Sequence, residues 1–217
     1  MVVDAGHGGH DPGTAHYGLR EKDLALDIAR RLSTALNARG LSVVMTRDRD
    51  EFITLSRRPA IANRIPADLF VSVHINANHN RRVSGIEVYY PRESVVDEAR
   101  QFPPRIQPDD VALPTTTIKR ILWDLALFRS RRQAVKMATH ICRTMRSRLG
   151  VRCRRVKGAR FVVLREAQMP AVLVEVGYVT NRAEASRLAD ASYRQAVAQA
   201  IADGVVSYVR ELGVQHI

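Results

Sequence analysis

Val2-Val3-Asp4-Ala5-Gly6-His7-Gly8-Gly9-His10-Asp11-Pro12-Gly13 runs from an apolar strand into a loop with four glycines. Glycine lets backbone and ligand approach closely, so His7 is presented at the carboxyl end of a strand with little around it. Two more apolar runs end in the same way. Leu69-Phe70-Val71-Ser72-Val73-His74-Ile75-Asn76-Ala77-Asn78 carries His74, and Val172-Leu173-Val174-Glu175-Val176-Gly177 carries Glu175. In open α/β sheets the crevice outside the carboxyl ends of the strands is the usual ligand site, so these side chains converge although they are far apart in sequence.

Outward from these runs, strands are read near 1–4, 41–46, 69–75, 85–90, 161–165 and 171–176. Helices are read near 22–39, 56–65, 132–149, 182–190 and 192–212. The first helix has an apolar stripe at Leu24, Ala25, Ile28, Ala29 and Leu32, with Gly40 as its stop. Pro59 fits the second helix if Ser56 caps it, because first-turn N–H groups lack intrahelical partners. The alternation predicts an α/β fold: a single domain with a mostly parallel, twisted sheet of about six strands and helices on both faces. The 217 residues suit one large domain.

Two strand-end histidines ask for a carboxylate to complete a metal site. Glu21 is the candidate, since it follows the glycine loop and opens the first helix. A helix-start carboxylate favoured by the dipole is the plainer reading of Glu21 alone. Two imidazoles and one carboxylate suit zinc, which keeps a fourth position open in catalytic sites. Glu175 lies within an apolar run, where a carboxylate needs a partner or a chemical role. A phosphate-binding loop is the competing reading of the glycines, but the spacing fits neither G-x-G-x-x-G nor the lysine-containing phosphate loop.

Asp4 to Gly9, Glu21, Ser72 to Asn76 and Glu175 to Asn181 occur in this order. Together they resemble the type 3 family of zinc-dependent N-acetylmuramoyl-L-alanine amidases. That family shares an Asp-x-Gly-His-Gly-Gly loop, a helix-opening Glu, a Ser-x-His-x-Asn strand end and a Glu-x-Gly-x-x-x-Asn segment. Leu55, Arg58, Ala62 and Asn63 fit its second helix. The resemblance implies one Zn²⁺ per chain on His7, Glu21 and His74, with Glu175 as the catalytic carboxylate. It also implies hydrolysis of the amide joining N-acetylmuramic acid to L-alanine in peptidoglycan, in the periplasm or at the cell wall. Two other function classes stay open: a zinc carboxypeptidase or other zinc amide hydrolase, and a non-catalytic wall- or nucleic-acid-binding domain.

The stretch between Pro91 and Arg132 breaks the rhythm, with Pro103, Pro104, Pro108 and Pro114 among acidic residues. It is too long for an ordinary connection. We read 91–131 as an insert, with a helix from Thr115 to Ser130 striped by Ile118, Ile121, Leu122, Leu125 and Phe128. Cell-division members of the resembled family carry an insert here whose helix occludes the zinc cleft until an activator protein displaces it. By that resemblance Glu93 or Glu98 would fill the open position on zinc in the resting state.

The formal charge of +12 and a pI near 10.6 point to anionic surroundings. The excess is densest in Arg143 to Arg160, which contains no aromatic residue before Phe161. That absence argues against a single-strand-binding surface, so no nucleic acid partner is expected. A solvated basic face is the plain alternative. Cys142 and Cys153 fit no metal pattern; Cys142 reads as a core residue, and a disulfide between them stays open for an exported chain. No transmembrane span or signal peptide is visible, and the chain begins almost on its first strand, as if an export signal or upstream module were missing.

Overall fold

A computed structural model describes residues 1–92 and 116–213, the side chains of 116–124 excepted. Its centre is a six-stranded sheet. In chain order the elements are β1 (Val2–Ala5), β2 (Ala15–His16), β3 (Leu19–Arg20), α1 (Glu21–Asn37), β4 (Val44–Met45), α2 (Arg57–Arg64), β5 (Phe70–Asn76) and β6 (Ile86–Pro91). They continue with α3 (Thr116–Leu149), β7 (Cys153–Ala159), α4 (Val162–Arg165), β8 (Ala171–Tyr178), α5 (Arg182–Ala189) and α6 (Ala191–Glu211). The sheet order is β4-β1-β5-β8-β6-β7, parallel except where β6 meets β8, while β2 and β3 form a separate small hairpin.

Successive strand residues face opposite sides of a sheet, and the core divides accordingly. Val3, Ala5, Val71, Val73, Val172 and Val174 pack under α1, α3, α5 and α6. Val2, Phe70, Ala171 and Leu173 pack under α2 and α4. The second pair of helices is short, eight and four residues. It covers only the first half of its face, and the residues further along that face, Asp4, Ser72, His74 and Glu175, are polar. A cleft at the carboxyl ends of the strands follows from this mismatch.

Several elements differ from the sequence reading. The run at 161–165 is not a strand: Phe161 precedes the short helix α4, which buries Val163 and Leu164. A short apolar run does not by itself separate strand from buried helix. The sixth strand is instead β7, inside the arginine-rich stretch, where Cys153 and Val156 contact the core. Helix 132–149 and the helix expected at 115–130 are one continuous helix, α3. Ser56 precedes α2 without a side-chain capping bond, and Pro59 sits in the first turn. Glu93 and Glu98 lie outside the described residues.

Cys142 on α3 and Cys153 on β7 form a disulfide across a sequence separation of 11 residues. Closing a loop of that size lowers the entropy of the unfolded chain by an amount equivalent to about 2.7 kcal/mol. The double variant Cys142→Ala/Cys153→Ala is therefore expected to lose ~2–3 kcal/mol in denaturant unfolding. A loss under about 0.5 kcal/mol would mean that the bridge does not constrain the chain.

Candidate metal centre and active site

Asp4 is wholly buried at the end of β1 and accepts three hydrogen bonds. They come from Thr46 Oγ1 at 2.6 Å, Ser72 Oγ at 2.6 Å and Arg58 Nη1 at 2.9 Å. Burial alone would raise the pKa of this carboxyl, but the Arg58 charge and the two hydroxyls hold it below the ordinary range. Arg58 also donates to the carbonyls of Ala5, His7 and Ile53. Arg47, equally buried, donates to those of Ala5, Gly6, Lys22 and Arg49. Two buried guanidinium groups thus hold the glycine loop from below and fix His7 at φ 58°.

Above this clamp the structure brings His7, Glu21 and His74 together, with one candidate ligand atom from each lying within 4.8 Å of the others. His7 Nε2 is 3.2 Å from Glu21 Oε2, and His74 Nδ1 is 3.0 Å from Glu21 Oε1. Tetrahedral ligands at ~2.1 Å from zinc stand about 3.4 Å apart, so the donor set fits such an ion. Glu21 is held by the N–H groups of Thr14 and Ile75, which donate to its two oxygens. Burial opposes its ionisation, yet hydrogen bonds and charge from His7 and His74 bring its pKa far below normal.

The loop glycines make room for these groups. A Cβ on Gly6 would stand 2.4 Å from the His74 ring, and one on Gly13, where φ is 64°, would stand 2.6 Å from Glu21 Oε2. The sequence reading missed Asp11, whose Oδ2 lies 2.7 Å from His7 Nδ1. A carboxylate there keeps the proton on Nδ1 and leaves Nε2 free to ligate. Asn181, the last residue of the motif that begins at Glu175, caps α5 by accepting from the Glu184 N–H, and Asn76 accepts from Ala77 N–H.

Glu175 faces the same cleft one strand away, in register with His74 on one side and Glu87 on the other. Its Oε2 is buried and has no hydrogen-bond partner among the described residues. Burial first, then the charges of Glu21 and Glu87, push its pKa well above the carboxylate range. Glu87, which the sequence reading also missed, is buried and accepts from the Tyr89 hydroxyl.

The N-acetylmuramoyl-L-alanine amidase family model matches residues 1–207. The chain belongs to that family. It is 37% identical over 210 residues to the amidase LytC of Bacillus subtilis, covering 97% of this chain and 35% of that protein. It is 33% identical over 217 residues to AmiA of Escherichia coli, covering 96% of this chain and 75% of that one. The solved structure of AmiC2 from Nostoc punctiforme superposes with a TM-score of 0.74 at 33% identity, covering 96% of both chains. The chain is thus an amidase-family hydrolase of peptidoglycan, of a generally metal-dependent family, with a His, Glu, His cluster able to hold a metal. Among the described residues no helix is long and apolar enough to cross a membrane.

Two outcomes are expected. Asp4→Leu leaves the Arg58 charge buried without its partner, so it should lose about 3–5 kcal/mol of stability, read by denaturant unfolding; a loss below 1 kcal/mol would refute the clamp. The metal-free His7 is lowered by burial but raised on balance by Glu21 and Asp11. Because a metal binds the neutral imidazole, its affinity should fall about tenfold per unit as pH drops below that raised pKa and level off above it. Chelator competition across pH measures this, and a flat profile would contradict it.

Proposed function

We propose that this chain hydrolyses the amide between N-acetylmuramic acid and the L-alanine of the stem peptide, with zinc on His7, Glu21 and His74. The observation that carries the residue assignment is Glu175 Oε2, a buried carboxylate oxygen beside His74 that has no hydrogen-bond partner among the described residues. Such an orphan in a cleft fits a group whose partner is the reacting molecule. When bound, zinc supplies Lewis acidity that acidifies a water and polarises the scissile carbonyl.

Glu175 takes a proton from the attacking water and returns it to the departing nitrogen as the C–N bond breaks and the new C–O bond completes the carboxylate. The desolvated setting that raises its pKa suits a group that must hold a proton between these steps. Thr14 and Ile75 amides keep Glu21 aimed at the two imidazoles, and Asp11 sets the tautomer of His7. The products are a glycan strand and a peptide with a free amino terminus.

The disulfide fits a compartment outside the reducing cytosol, where peptidoglycan is also found. The segment at 91–131 is the regulatory insert in this reading. Its described end supports that: Leu125 and Phe128 on α3 are 58% and 50% exposed, an apolar surface that an activator protein would cover.

Glu175→Gln is expected to lower peptide release from purified peptidoglycan about 10²- to 10⁴-fold while zinc content stays near one per chain. Activity within threefold of the parent would remove Glu175 from the chemistry. Deleting residues 93–130 is expected to raise activity; a folded deletion no more active than the parent would rule out self-inhibition.

A further inference from the structure

The geometry points to β7 as the wall that recognises the peptide half of the substrate: Arg155 and Lys157 bind a carboxylate of the acidic stem peptide, and the scissile amide lies with its nitrogen toward β7. This rests on the amidase reading above. It starts from a row of residues in register across four strands, His74 on β5, Glu175 on β8, Glu87 on β6 and Arg155 on β7. In the next row Leu173, Tyr89 and Lys157 are in register. Residues paired in register share a face, so Arg155 and Lys157 stand on the cleft side of the sheet.

The other face of β7 explains why its cations gather there. Cys153 and Val156 pack into the helix-covered core, and Cys153 is tied to α3 by the disulfide. The strand is therefore anchored by one face and presents its charge on the other. Edge strands commonly carry charge to deter pairing with other chains, but that purpose does not require the charge to face a cleft in line with Glu175.

Among the described residues the cations there are under-neutralised. Glu87 Oε1 lies 3.5 Å from Arg154 Nε and 3.9 Å from Arg155 Nε, so one carboxylate serves two guanidinium groups. Glu87 also accepts from the Tyr89 hydroxyl. Among the described residues no carboxylate lies within 4.0 Å of the Lys157 ammonium. Tyr89 and the 40% exposed Phe161 meet edge to face beside Lys157, giving an apolar floor for the aliphatic parts of a peptide.

The direction of the substrate follows from Glu175. It lies on the β7 side of His74, and it returns a proton to nitrogen, so the amine half of the substrate must lie on that side. Neighbouring strands are about 4.8 Å apart, which places Arg155 two strands, roughly 10 Å, beyond Glu175. An extended chain advances about 3.3–3.6 Å per residue. The carboxylate recognised is therefore on the second or third residue from the scissile nitrogen.

The test uses two muropeptides, one with free carboxylates and one with the same carboxylates amidated, and the variants Arg155→Gln, Lys157→Gln and their combination. Charge-assisted hydrogen bonds of this type support a loss of about 10- to 100-fold in kcat/KM for the double variant. The loss should appear in KM, and only with the free-carboxylate substrate. The parent should disfavour the amidated substrate by a similar factor, and the double variant should treat both alike. Binding of the free-carboxylate muropeptide to Glu175→Gln protein gives a readout without turnover, and adding both β7 substitutions should weaken it by the same factor. If the parent cleaves both substrates and the double variant discriminates as it does, the β7 assignment is overturned while the amidase reading stands. If the parent neither cleaves nor binds either muropeptide, the amidase reading falls and the β7 assignment with it.

Discussion

The buried pair of Asp4 and Arg58 is the constraint on which the site depends. Through Asp4 it ties β1 to Ser72 on β5, to Thr46 after β4 and to Arg58 on α2. Through Arg58 it reaches the carbonyls of Ala5 and His7, which a loop rich in glycine would otherwise leave free to rotate. Replacing such a pair with apolar residues is often neutral for stability, since both ions must be desolvated. Its value here is geometric: it gives a flexible loop one conformation, and His7 one position facing Glu21.

The sheet then arranges the chemistry by register. Moving from β1 toward β7, the cleft meets a cluster able to hold a metal, a carboxylate with a raised pKa, a second buried carboxylate and a set of cations that the described residues leave unbalanced. Each occupies the same face because strand alternation puts it there, and the short helices α2 and α4 leave that end uncovered. A low-polarity setting strengthens every charge interaction inside it, so the burial that raises the Glu175 pKa also sharpens the contrast between the acidic centre and the basic edge.

Much of this was legible in the sequence, for physical reasons. His7, His74 and Glu175 each end an apolar run, and an interruption of that kind in a buried strand has few explanations other than function. Glu21 was readable from its place at the start of an amphipathic helix. Glu87 carried the same kind of signal in Ile86-Glu87-Val88 but lay at the start of its strand, and only the antiparallel run of β6 beside β8 brings that end to the cleft. Arg47 could not be separated by pattern from the other basic residues, and Arg58 stood out only through the resemblance of its helix, because what distinguishes both is burial by distant elements. β7 was hidden for the opposite reason: as an edge strand it is covered on one face only, so few of its residues are apolar, and its arginines read as a charged surface.

The central claim is that one metal ion, held by His7, Glu21 and His74, makes this cleft an amidase. The most direct test strips the protein with a chelator, returns zinc in measured equivalents and follows new amino termini released from purified peptidoglycan. The account predicts no release from the stripped protein, and full recovery at about one equivalent of zinc, with L-alanine as the new amino terminus. Undiminished release after stripping, or a different terminal residue, would contradict it.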